Sequence, residues 1–208
     1  MSHWTKFSMP SIHVLNAKRE INLMKEVSNI KFDINSNDYD VYNEIFRNNV
    51  QHGVLAIYSI NAALESIITI LSKELNLKKN IQSKGNIGFY DITIFLRDEL
   101  KIITDINSYN KCIELRSYRN IITHWDKNDS TLLGTSGYLP FMFENGGSRP
   151  NSKKEKLISI LTKEKLEDYK DGFNKLLENI TSSLIIQEKE MLKHMFRCII
   201  EGCIVYEG

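Results

Sequence analysis

The sequence predicts an all-α protein, a helical bundle with one irregular insertion before its last long helix. Three observations carry that expectation. Apolar residues recur at three- and four-residue spacing through most of the 208 residues, the period of a helix that turns one face to a core. Turn-forming residues collect mainly at 78–90 and 126–149, leaving long segments between them. A hydrophobic content of 42% with 25% charged residues is that of a chain able to bury its own core, read here as one domain over 1–208.

The elements follow in order. Within the N-terminal region 1–34, "SIHVLNAKREINLMKEVSN" at 11–29 spaces Ile12, Leu15, Ile21, Leu23 and Val27 as one amphipathic helix. "NSNDYD" at 35–40 supplies capping residues for a long central helix reaching about Leu77, with a break expected near Gly53. The glycine-containing stretch 78–90 reads as a connection, after which Asp91 is placed to cap "ITIFLRDELKII". Asn107 or Ser108 is the expected cap of the next helix, "NSYNKCIELRSYRNIITHW". Gly134, Gly137, Pro140, Gly146 and Gly147 then mark a loop or small hairpin in the insertion 126–161, with "LISIL" at 157–161 as a short strand. Thr162 caps a closing helical region that runs to Ile200.

Charge and composition exclude several classes. A formal net charge of +1 argues against a broad basic surface gripping long nucleic acid, while leaving room for a small cationic site. The most apolar run, "VLAIYSINAALESIITIL" at 54–71, is interrupted by Asn61 and Glu65 and reads as a core helix with no membrane role. "MSHWTKFSMP" lacks a signal peptide's apolar segment. Cys112, Cys198 and Cys203 are odd in number without C-x-x-C spacing, which points to a reducing, cytoplasmic setting and to buried small apolar roles. His3, His13 and His194 are scattered, so no metal site is expected, and no nucleotide-binding fingerprint implies a cofactor. "SKKEK" at 152–156 reads as a solvated face, and "MFRCIIEGCIVY" as core or dimer contact.

One pattern carries chemistry. In "RNIITH" at 119–124, helical geometry sets Leu115, Tyr118, Ile121, Ile122 and Trp125 on one arc and Arg116, Arg119, Asn120, Thr123 and His124 on the other. Asn120 and His124 are i,i+4 neighbours, so the asparagine can orient the imidazole. A histidine can move the proton of a ribose 2′-hydroxyl or supply one to a leaving 5′-oxygen, while an arginine fork holds phosphate oxygens as charge builds. One histidine does not readily act as acid and base at once, which predicts a homodimer with two motifs on one RNA. Chance alone yields an Arg followed five positions later by His about 0.2 times in such a chain. The spelling nevertheless occurs twice: "RNNVQH" at 47–52 repeats it beside the apolar run, where Arg47 and His52 read as helix surface. Along the central helix Tyr58, Asn61, Glu65 and Thr69 form a polar stripe; Glu65 there is expected to meet Arg116 or Arg119, and Tyr58 and Asn61 to serve packing and hydrogen bonding.

"ELRSYRNIITHW", following a helix with "AALESIITIL", resembles the HEPN superfamily, small α-helical domains marked by R-x(4–6)-H with a polar residue, often Asn, after the arginine. Arg119, Asn120 and His124 match the motif, and the order of helices is similar over most of the chain. The resemblance implies a metal-independent endoribonuclease that acts as a dimer, of the kind found in toxin–antitoxin and antiphage systems, with a neutralising antitoxin or other regulatory protein as a partner. It equally admits a catalytically silent module that binds protein or RNA. A subset of the family continues H-x-Y, whereas this chain reads His124, Trp125, Asp126, so the similarity is to the superfamily and not to that subgroup.

Overall fold

The computed structural model describes residues 5–26, 38–81, 87–123, 157, 159–186, 190–202 and 205–207. The fold is all-α, a bundle with seven helices among the described residues: α1 (Met9–Leu23), α2 (Asp38–Glu74), α3 (Leu77–Asn80), α4 (Phe89–Asp98), α5 (Ile106–Thr123), α6 (Lys163–Ile186) and α7 (Glu190–Glu201). Two three-residue strands, β1 (Thr5–Phe7) and β2 (Val205–Glu207), pair antiparallel with Lys6 opposite Tyr206. The chain forms two compact units, the first comprising 1–16, 59–113 and 171–208 and the second 17–58 and 114–170.

In the first unit, α2 buries Ile60, Ala63, Leu64, Ile67, Ile68 and Leu71, a spacing of three and four that keeps one face inward for three turns. Within this helix the stretch Glu44–Glu74 is long and apolar enough to cross a membrane by length and composition, with mean hydropathy 1.8 over its most apolar 18-residue window. Half of its most apolar window is buried within the protein, as a core helix requires. The helix stops at Glu74 rather than Leu77 because Asn76 takes a left-handed conformation (φ 52°), after which the short α3 begins.

The expected connection at 78–90 is thereby shortened at both ends, since Lys78–Asn80 belong to α3 and Phe89 and Tyr90 to α4. Asp91 is not the cap of α4 but its third residue: its carboxylate accepts the Gly88 N–H at 2.8 Å, so the helix starts earlier than the apolar period suggests. It also ends earlier, at Asp98. Lys101 adopts φ 52°, and Ile102 N–H returns to the Leu96 carbonyl at 2.8 Å, which turns Ile102 and Ile103 into the core.

Asp105, not Asn107 or Ser108, caps α5. Its carboxylate accepts the Ser108 N–H at 3.1 Å, and the Asn179 side chain of α6 accepts the Thr104 and Asp105 N–H groups at 2.9 and 3.1 Å. The closing helical region consists of α6 and α7 as separate helices, with Phe196 and Ile199 of α7 fully buried.

The N-terminal helix differs from its expected span over 11–29. It starts at Met9, capped by the Ser8 hydroxyl accepting from Ser11 N–H at 3.3 Å, because Pro10 in a first turn costs no helical hydrogen bond. In the second unit it ends at Leu23. There the Asn49 side chain takes both backbone groups of Lys25, accepting its N–H at 2.8 Å and donating to its carbonyl at 3.0 Å, so the chain is held out of the helix.

No break interrupts α2 at Gly53. A Cβ at that position would lie 2.8 Å from Leu161 Cδ2 and 3.2 Å from Leu166 Cδ1, so the glycine serves close approach and not a kink. Leu157, Ser159 and Ile160 are helical, contrary to the strand expected over 157–161. Thr162 caps α6 as expected, its hydroxyl accepting the Lys165 N–H at 3.3 Å. The rest of the expected hairpin or loop, through residue 156, lies outside the described residues.

Candidate functional site

The carboxyl-terminal half of α5 belongs to the second unit. Leu115 and Tyr118 are buried there, and the Tyr118 ring meets Tyr169 edge-on, with centroids 6.4 Å apart. Tyr118 donates its hydroxyl to Glu114 Oε1 at 3.2 Å. Burial first, and the Glu114 charge second, push its phenol up to about 12; the same causes raise Tyr169. Both tyrosines therefore stay protonated donors across the physiological range, and their packing sets the rotation of α5.

With that face inward, Arg116, Arg119 and Asn120 fall together on another face, each half-buried. Arg119 Nη1 donates to Asn120 Oδ1 at 3.1 Å. The sequence assigns Asn120 to orient a histidine; the partner its oxygen takes is the arginine. Thr123 Oγ1 donates to the Arg119 carbonyl at 2.9 Å, so in its 3.1 Å contact with Tyr58 the tyrosine hydroxyl is the donor. Tyr58 thus ties α2 to the last described turn of α5, the hydrogen-bonding role expected of it. His124 lies outside the described residues, as do Trp125, His3 and Cys203.

Glu65 is in the first unit, half-buried on α2, where its backbone carbonyl accepts the Thr69 hydroxyl at 2.7 Å. Asn61 is buried on the same helix.

The second copy of the motif is built differently. Arg47 is exposed, and Asn49 is committed to the Lys25 backbone. His52 is not open surface: its Nδ1 lies 2.7 Å from Oε2 of Glu20, and the other Glu20 oxygen accepts Arg19 Nε and Nη2 at 2.9 and 2.5 Å. Hydrogen bonding to His52, reinforced by Arg19 and opposed by burial, holds the Glu20 carboxyl below its ordinary 4.5. Sequence reasoning missed this group. The signal was present, because Ala17, Glu20, Ile21 and Met24 form an i, i+3, i+4, i+7 stripe in which Glu20 is the one charged residue. Such a carboxylate requires a partner, the same inference that drew attention to Glu65.

Cys112 and Cys198 are buried, and burial pushes the Cys112 thiol up to about 12, which leaves it unreactive. Among the described residues no group of three His, Cys, Asp or Glu side chains is arranged to hold a metal ion. Comparison with protein families, curated proteins and solved structures finds no match for the chain.

Proposed function

We propose that the protein is a metal-independent endoribonuclease of HEPN type, cytoplasmic and homodimeric, serving as a toxin or antiphage effector under the control of an antitoxin or other regulatory protein. The observation that carries the reading is the pairing of Arg119 with Asn120 on a half-buried face that also holds Arg116. A guanidinium braced by a neighbouring amide is pre-organised for two phosphate oxygens, and partial burial strengthens that contact.

In this mechanism a His124 imidazole removes the proton of a ribose 2′-hydroxyl, and the resulting oxygen attacks the adjacent phosphorus. The phosphorus–O5′ bond breaks, and the His124 of the partner protomer protonates the leaving oxygen, giving a 2′,3′-cyclic phosphate and a 5′-hydroxyl. Arg119 neutralises the oxygens that gain charge, with Arg116 as a second cation. The Asn120 amide holds the guanidinium and directs its Nδ2 group to the imidazole.

The test incubates purified protein and its Arg119→Ala and His124→Ala variants with total RNA in EDTA, followed by end-group analysis. Cleavage leaving cyclic phosphate ends, reduced about 10²- to 10⁴-fold in either variant, is the expected result. A folded dimer that cuts nothing overturns the reading in favour of a silent binding module. Loss of cutting in His52→Ala alone would move the activity to the other copy.

A further inference from the structure

We infer that Tyr58 is a base-stacking residue of the proposed RNA site, and that the RNA it accepts is unpaired. The inference rests on the ribonuclease reading, which gives the Tyr58 ring no part and names no form of RNA.

Two hydrogen bonds within the second unit set the position of the ring. The Tyr58 hydroxyl donates to Thr123 Oγ1 at 3.1 Å, and Thr123 Oγ1 donates in turn to the Arg119 carbonyl at 2.9 Å. The far end of the ring is thereby fixed against the last described turn of α5, one helical turn, about 5.4 Å along the axis, beyond Arg119. A nucleotide is longer than such a turn, so a phosphate held at Arg119 leaves its own base, or the next one along the strand, within reach of the ring.

Tyr58 remains 37% exposed although its hydroxyl is engaged, and what a helical tyrosine exposes is chiefly its side chain. Leu55, a neighbour three positions earlier on the same helix, is 45% exposed. Large apolar side chains exposed singly need no explanation, whereas two adjacent ones form a surface. A ring already held at its polar tip also loses little freedom when a ligand covers its face.

The charge balance indicates what that surface serves. At a formal net charge of +1 the chain has no broad cationic field, so phosphate contacts at Arg116 and Arg119 are the few that the site offers. Affinity for RNA then requires a contribution that is not ionic. Stacking of a base on an aromatic ring is such a contribution, and it tolerates any base because every base has a π-face. In a duplex those faces are already covered by neighbouring bases, so only an unpaired base reaches Tyr58.

The test measures binding apart from cutting. Short 2′-O-methylated strands lack the attacking hydroxyl, and 2-aminopurine placed in them loses fluorescence when stacked. The full chain is expected to bind the single strand with loss of emission, and the same strand annealed to its complement at least about 10-fold more weakly. Tyr58→Phe removes the bond to Thr123 but keeps the ring, and should bind within about 3-fold of wild type; Tyr58→Leu should bind about 10-fold or more weakly, without the emission change. A residue that merely ties α2 to α5 would lose as much in Tyr58→Phe as in Tyr58→Leu. The inference is overturned by that equality, by wild-type binding and quenching in Tyr58→Leu, by equal binding of duplex and single strand, or by no binding of either. Quenched binding without cleavage of the matching unmodified strand removes the ribonuclease reading and keeps the stacking site, whereas cleavage undiminished in Tyr58→Leu does the reverse.

Discussion

Replacing Glu20 with glutamine preserves the side chain's shape and removes the charge to which Arg19 and His52 both donate. The residue is 4% exposed, so its carboxylate depends on those partners rather than on water. The Arg19 side chain is 67% exposed and returns to solvent at little cost, whereas that of His52, at 18%, stays largely enclosed. The amide nitrogen of glutamine must also face one of these donors, turning one attraction into a repulsion. The loss is therefore about 1.5–3 kcal/mol, below the ~3–5 kcal/mol of a stranded buried ion, because no charge is left enclosed without an alternative. Since the native carboxyl sits below its ordinary 4.5, the stabilisation is whole above that value and disappears as pH falls through the depressed native one. Urea unfolding of wild type and Glu20→Gln at about pH 7 and about pH 3.5 measures both features, through a gap that shrinks in acid. A neutral gap under about 0.5 kcal/mol, or one that persists unchanged in acid, would refute the electrostatic account of this pair.

Gly53→Ala gains about 1 kcal/mol of helix propensity but sets a Cβ 2.8 Å from the buried Leu161; overpacking of about 1–3 kcal/mol dominates, and Gly53→Val should cost more, both read by urea unfolding. Asn179→Ala strips the Thr104 and Asp105 N–H groups of their common acceptor and should lower stability by about 1–2 kcal/mol in the same assay. Asp105→Ala, which deletes the cap of α5, should cost about 1 kcal/mol at neutral pH; hydrogen bonds from Ser108 lower the Asp105 carboxyl, so this gap too should fade in acid. Arg119→Lys keeps the charge and loses the fork, so RNA cleavage should fall about 10-fold or more while binding at low salt is largely retained, as a gel-shift assay would show.

The helical architecture was legible because burial imposes its period directly: Ile60, Leu64, Ile67 and Leu71 can share a face only on a helix. What escaped is what depends on a residue distant in the sequence. Nothing within 11–29 says that the helix must stop at Leu23, since the stop is made by Asn49, twenty-four residues from Lys25. Gly53 reads as a breaker from its own segment and as a contact only once Leu161 and Leu166 lie against it. The caps of α4 and α5 were displaced by a few positions because several neighbouring polar residues can each serve, and Asn179 selects among them at α5 through a long-range contact. Of the candidate site, the sharing of one face by Arg116, Arg119 and Asn120 was readable from angular spacing, while the bond between the last two was not, because it depends on rotamers that spacing leaves open.

The two copies of R-N-x-x-x-H show why spelling and role separate. In 47–52 the fold takes Asn49, which completes the end of α1, and His52, which hydrogen-bonds Glu20, while Arg47 is exposed and the asparagine that follows it, Asn48, has a buried Oδ1 without a partner among the described residues. These are long-range structural bonds, and mutating them should be felt first as lost stability. In 119–124 Arg119 donates to the adjacent Asn120, Thr123 donates to the Arg119 carbonyl, and Tyr58 is a tertiary contact at Thr123. His52→Ala strips an enclosed carboxylate of one donor and should lower stability by about 1–3 kcal/mol in urea unfolding. A loss under about 0.5 kcal/mol would remove the physical reason for reading the α2 copy as a structural element.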